Sequence, residues 1–167
     1  GAPPRAVTTG TGRVGRLAAP TTLRAFAERV AAVLPATAQG VRVAGDLDAT
    51  VESVAVVGGS GDSLFDAVRA SGADVYVTSD LRHHPVSELR ERAQLEAAAT
   101  GGPATPYLVD VPHFASEWPW LRYAAEDLVR TLAERGAHVE TRVSATPTDP
   151  WTVRIPSAPA ADARPTP

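Results

Sequence analysis

The sequence predicts an α/β protein of three layers, α/β/α, with helices packed on both faces of a mostly parallel sheet. Three observations predict it. From Val54 onward, short apolar runs alternate with segments of helical length, the pattern of βαβ units. Each of three such runs ends in a polar sequence, GGSGDS, SDLRHH or DVPHFASE, and ligands gather at the carboxyl ends of strands in sheets of this kind. The chain has 167 residues, 44% of them hydrophobic and 21% charged, so it can bury one core of ordinary size.

Residues 1–9 read as a flexible leader, and residues 1–20 as a whole are rich in Gly, Pro, Thr and Ala. Gly10-Thr11-Gly12-Arg13-Val14-Gly15 matches G-x-G-x-x-G by letter. No strand is predicted before it, and Pro20 stands where a dinucleotide fold needs its helix. A glycine-bearing loop is the expectation. Thr21 to Leu34 reads as a helix, capped by Thr21 or Thr22, striped by Leu23, Phe26, Ala27 and Val30, and ended by Pro35. Val41–Ala44 is a short strand. Val54–Val57 is a strand followed by a Gly58-Gly59-Ser60-Gly61 turn. Asp62 to Ser71 is a helix ended by Gly72, and Asp74–Thr78 is the next strand. Pro85 to Ala99 is a helix, and Tyr107–Val111 a strand. Ser116 can cap a helix that runs to about Arg135, where Gly136 stops it. His138–Ser144 alternates like a strand. Residues 153–167 are rich in Pro and Ala and read as a disordered tail.

Composition excludes several classes. A net charge of -3 gives no electrostatic footprint for nucleic acid. With no Cys there is no disulfide, thiolate metal site or Cys nucleophile. No apolar run has membrane-spanning length and nothing resembles a signal peptide, so a cytoplasmic location is expected.

The chemistry-bearing residues cluster after the strands. His113 and Glu117 are separated as H-x-x-x-E, which places both on one face if the segment is helical; imidazole and carboxylate suit zinc, iron or manganese. Pro112 and Pro119 flank them, so a turn at the strand end would serve equally. Gly58, Gly59, Ser60 and Gly61 open a helix, and their backbone N–H groups could cradle a phosphate or carboxylate; a tight turn that needs glycine is the alternative. Asp80 and the pair His83-His84 follow one strand, and Asp110 lies at the end of another. Ser60, His113 and Asp110 are the residue types of a nucleophilic triad, but Asp62 stands where a nucleophile elbow needs glycine. Trp118 and Trp120 read as packing residues.

Several motifs in this order, GTGRVGRL at 10–17, TLRAFAERVAAVL, VAVVGGSGDSLFDAVRASGADVYVTSDLRHH at 54–84 and LVDVPHFASE at 108–117, resemble the dinuclear-metal-centre hexameric family, the Nif-three-like proteins or GTP cyclohydrolase type-two homologues. The resemblance covers roughly residues 10–152 and implies one half of an intertwined two-domain fold, the carboxyl-terminal part. It implies His113 and Glu117 as metal ligands, with Pro112 where the family has glycine and Phe114 where it has tyrosine. It puts His84 in the site-proximal position. His83-His84-Pro85 matches the family's first-half His-His-Pro by letter but not by context, so that ligand role is not carried to His83.

By the same resemblance, the remaining ligands of a two-metal centre, a His pair and an Asp, belong to a first half that this chain lacks. A start at Gly1 with no Met agrees with that reading. The expected function is a metal-dependent hydrolase acting on a small molecule such as a purine nucleotide, in a homo-oligomer that is hexameric when full length. Asp110, Asp80 and His84 would orient ligands or move protons. The rival is a non-catalytic metal-binding or scaffold protein in a ring assembly. The helix after Ser116 and both tryptophans should be partly exposed, since other parts of the assembly would cover them.

Overall fold

The computed structural model describes residues 10–156; the predicted leader, and the part of the predicted tail from 157 on, lie outside them. Its strands are β1 (Arg13–Thr22), β2 (Arg42–Ala44), β3 (Thr50–Ser60), β4 (Val75–Ser79) and β5 (Tyr107–Val111). They form one sheet in the order β1-β3-β4-β5-β2. The centre, β3-β4-β5, is parallel, and an antiparallel strand closes each edge. The helices are α1 (Leu23–Val33), α2 (Phe65–Ser71), α3 (His83–Thr100), α4 (His113–Glu117) and α5 (Leu121–Glu134).

The layers follow from strand parity. Every residue of β4 and β5 is buried, so alternate side chains feed two cores. Val75, Val77, Val109 and Val111 pack under Leu23, Phe26 and Ala27 of α1. Tyr76 and Leu108 pack on the other face with Phe65 and Val68 of α2 and Leu89 of α3. Thr22 caps α1 as predicted, its hydroxyl accepting from Ala25 N–H at 3.2 Å.

In β3, Val51 belongs to the α1 side, yet Ala55 and Val57 belong to the other. An even separation should keep them on one face, so the strand slips phase between them. The slip lies at Glu52-Ser53, whose two N–H groups both point at Asp74 Oδ2, at 2.9 and 2.8 Å. Ser53 Oγ donates to the same oxygen at 2.9 Å. Burial opposes ionisation of Asp74, but these donors outweigh it and hold its pKa below the ordinary carboxylate value.

Three expectations are corrected. Half of the stretch read as a glycine-bearing loop, Arg13 to Gly15, opens the edge strand β1. This strand lacks clean alternation and contains Pro20, which an edge strand tolerates because one side of its ladder faces no neighbour. His138–Ser144 forms no strand; it alternates, but among the described residues it has no neighbouring strand. The helix expected from Ser116 begins at His113 and is broken by a 3-10 turn at Trp118–Trp120, with Pro119 inside it, before α5 starts. No described helix is long and apolar enough to cross a membrane.

Candidate metal-binding edge

Parallel pairing brings Ser60 of β3 level with Ser79 of β4, and Ser79 level with Val111 of β5. The three polar sequences therefore leave the sheet at one edge, as their position after strands predicts. The Gly58-Gly59-Ser60 stretch expected as a turn is instead the last part of β3, and the chain turns at Gly61. Two donors of the expected anion cradle are committed inside the protein: Gly59 N–H to Ser116 Oγ at 2.8 Å, and Gly61 N–H to the Ser79 carbonyl at 3.3 Å. From β4, Thr78 Oγ1 and Tyr76 OH donate to the carbonyls of Gly59 and Gly61 at 2.9 and 3.0 Å. A Cβ on Gly61 would lie 2.0 Å from Thr78 Oγ1, so glycine there permits the close approach of two backbones.

One turn of α4 then sits over Gly59. Ser116, expected as a cap, has its hydroxyl between two elements: it accepts from Gly59 N–H and donates to the His113 carbonyl at 2.8 Å. This latch sets where His113 and Glu117 stand. They lie on one face of α4, with His113 Nε2 and Glu117 Oε1 3.2 Å apart. The other ring nitrogen, Nδ1, is 2.5 Å from Asp80 Oδ2. An ionised carboxylate only accepts, and Asp80 stands closer than Glu117, so the neutral ring carries its hydrogen on Nδ1. The Asp80 hydrogen bond raises the His113 pKa; burial opposes it and Glu117 adds to it.

Among the described residues no group of three or more His, Asp or Glu side chains is arranged to hold a metal ion. What is present is a pair of donors with an orienting carboxylate behind one of them. The pair fits two positions on one ion. Metal–ligand distances of about 2.0–2.2 Å put adjacent donors roughly 2.9–3.4 Å apart, depending on the angle between them, and the observed 3.2 Å falls within that span. Space for the pair is kept by a missing side chain: a Cβ on Gly59 would lie 2.7 Å from Glu117 Oε1 and 3.5 Å from His113 Nε2. Carboxylate–imidazole–metal is the usual order when an outer carboxylate fixes a ligand's tautomer.

His113, Glu117 and Asp80 open into a cleft of 580 Å³ whose apolar wall includes Phe114, Trp120 and Trp151. Trp120 is 61% exposed and Trp118 is half-buried. Trp118 Nε1 donates to the Ser144 carbonyl at 2.9 Å, which ties the carboxyl-terminal segment to the cleft.

The other predicted residues lie elsewhere. Asp110 is buried and paired with Arg42 of β2, which faces it directly in the ladder. Its carboxylate does not meet His113, so a Ser60–His113–Asp110 triad is not formed; the His113 Nδ1 position is taken by Asp80. With Arg42 and His83, Asp110 lines a second cleft of 210 Å³. His84 is on the exposed first turn of α3, its ring edge-on to that of His83, and lines neither cleft. Asp62 pairs with Arg82 at 2.5 Å. Sequence reasoning missed Ser116 as a latch and Arg42 altogether. A hydroxyl three residues after a candidate ligand was a usable signal for the first; the second needed the β2–β5 pairing.

The chain matches the family model Duf34/NIF3 (NGG1p interacting factor 3) over residues 4–150. It is 50% identical to the GTP cyclohydrolase 1 type 2 homolog of Streptomyces coelicolor over 154 residues, covering 92% of this chain and 50% of that protein. It is 46% identical to that of Mycobacterium tuberculosis, covering 89% of this chain and 35% of the relative. The chain thus spans half or less of the length of these relatives. Among solved structures, a Bacillus cereus protein related to NIF3 superposes with a TM-score of 0.67 at 28% identity, over 87% of this chain and 36% of that one. A Staphylococcus aureus protein superposes with a TM-score of 0.66 at 25% identity, over 86% of this chain and 37% of the other.

Proposed function

Because this chain belongs to the Duf34/NIF3 family, we propose that it supplies one edge of a divalent-metal site, with His113 and Glu117 as ligands, to a protein that hydrolyses a small molecule. The observation that carries the reading is the donor pair: His113 Nε2 and Glu117 Oε1 stand 3.2 Å apart over a glycine whose Cβ would crowd them. Zinc, iron or manganese would suit an imidazole–carboxylate pair. The chemistry such ions supply is a water made nucleophilic near neutral pH and a polarised substrate oxygen or ring carbon. Asp80 holds the proton on Nδ1 and leaves the Nε2 lone pair for coordination. Phe114, Trp120 and Trp151 offer an apolar wall on which a flat ring could lie beside the donors. That wall, with the names borne by the relatives, supports a nucleotide as substrate.

Two donors fall short of the roughly four that a closed site needs, so the chain alone binds metal weakly and other parts of the assembled protein complete the centre. A homo-oligomer, hexameric in the complete protein, is the assembly we propose. The second reading, a scaffold whose metal serves structure, is favoured by the exposed apolar side chains of α5.

Calorimetric titration of Zn²⁺ or Mn²⁺ into the 167-residue chain, with His113→Ala and Glu117→Gln beside it, tests the ligand assignment. Weak binding lost in His113→Ala is expected. Tight binding lost in that variant would mean that the centre is complete here. Tight binding that survives it would remove His113 as a ligand. Hydrolysis of nucleotides by the metal-loaded complete protein separates enzyme from scaffold.

A further inference from the structure

Asp80 has a backbone φ of 55°. Asp enters this left-handed region more readily than most residues other than glycine, and residues held there cluster at functional sites. The cause is visible in the next residue. Leu81 is pinned by both of its backbone groups: its N–H donates to Asp110 Oδ1 at 3.2 Å, and its carbonyl accepts from Arg42 Nη2 at 3.4 Å. Arg42 and Asp110 face each other across the β2–β5 ladder. Arg42 gives Nε, at 2.8 Å, and Nη2 to the single oxygen Oδ2, which leaves Oδ1 for Leu81. The Leu81 side chain is buried in the core cluster that holds Tyr76, Leu89 and Leu108.

We propose that Arg42 and Asp110 are positioning residues for His113. Their ion pair holds the Asp80-Leu81 turn left-handed, and through Asp80 it fixes the Nδ1–H tautomer that leaves the Nε2 lone pair beside Glu117. Neither residue touches the imidazole; the influence runs through one turn of backbone. Its functional meaning rests on His113 and Glu117 being ligands, but the effect on the imidazole does not. Asp110 is thereby a structural acceptor whose two oxygens are both engaged, and it acts on the cleft without facing it.

The test is the tautomer of His113 in the metal-free chain, read from long-range ¹H–¹⁵N correlations at a pH where the ring is neutral. The wild type should show chiefly Nδ1–H, against the preference of a free imidazole for Nε2–H. Asp80→Asn sets the full effect. Arg42→Met should move the Nδ1–H to Nε2–H ratio the same way, severalfold and by less than Asp80→Asn, since Arg42 reaches the imidazole only through Asp80. Asp110→Asn should move it in the same direction, and Arg42→Lys should restore part of it. Asp110→Asn keeps the shape of the side chain and carries the test if Arg42→Met fails to fold, circular dichroism reporting which has folded. A folded Arg42→Met or Asp110→Asn with the wild-type ratio overturns the proposal. Zn²⁺ that binds without His113 overturns the ligand assignment alone and leaves the tautomer result standing.

Discussion

His113 stands between two carboxylates, and its affinity for a proton governs what the cleft can bind. The Asp80 hydrogen bond lifts its pKa above the ordinary imidazole value, with Glu117 adding to the lift. A raised pKa means that the folded protein favours the protonated ring. That contribution to stability is complete below the ordinary value of about 6.5 and fades as pH rises through the raised folded value. Metal competes for the same imidazole, so affinity should fall with decreasing pH sooner than it would at an ordinary histidine. Following the His113 ring protons by NMR against pH checks this: an apparent pKa above the ordinary value is expected, and Asp80→Asn should lower it. Gly59 gives a second prediction. Its φ of 74° and the 2.7 Å that would separate an added Cβ from Glu117 Oε1 make Gly59→Ala unfavourable twice over. It should cost about 1–2 kcal/mol from the left-handed backbone alone and displace Glu117, seen as a lower denaturation midpoint together with weaker Zn²⁺ binding. The His113 and Glu117 spacing was legible in the sequence because both lie on one helical turn. Asp80 was legible as an orienting residue, but its pairing with Nδ1 was not, because Asp80 follows β4 in a left-handed conformation that no local pattern announces.

The short helix α4 owes its place to one hydroxyl. Ser116 receives Gly59 N–H and returns its own hydrogen to the His113 carbonyl. Ser116→Ala would leave the Gly59 donor without its partner, at about 1–3 kcal/mol if water cannot replace it. Urea unfolding should show that loss, while Ser116→Thr should retain part of the bond. The phase slip in β3 depends in the same way on Asp74, whose carboxylate organises Glu52 and Ser53. Helices were readable where glycine ends them, as Gly72 does for α2 and Gly101 for α3, both in the left-handed region. The central strands were readable because burial on both faces makes them continuous apolar runs. β1 was not, because an edge strand with one solvated side accepts Gly15 and Pro20 without penalty. His138–Ser144 failed in the opposite sense: alternation records a strand's two faces, but a strand also needs a neighbour.

Across the whole molecule, burial is uneven. β4 and β5 are enclosed on both faces, while α5 has no buried residue and exposes Leu121, Tyr123, Leu128 and Val129. Local stability follows burial, so hydrogen exchange should be slow along Val75–Ser79 and Tyr107–Val111 and fast throughout α5. Slow exchange in α5 would show that its apolar side chains are covered in solution. The sheet places its polar exits at one edge, and that edge brings Gly59, Asp80, His113 and Glu117 together although they come from three separate stretches of chain. The most direct test of this edge as a metal site is a Zn²⁺ titration of the ¹⁵N-labelled chain that resolves all four histidines. Selective change at His113 Nε2, with Nδ1 still protonated and His83, His84 and His138 unmoved, is expected. Coordination through Nδ1, or a response at His83 and His84 with His113 silent, would contradict it.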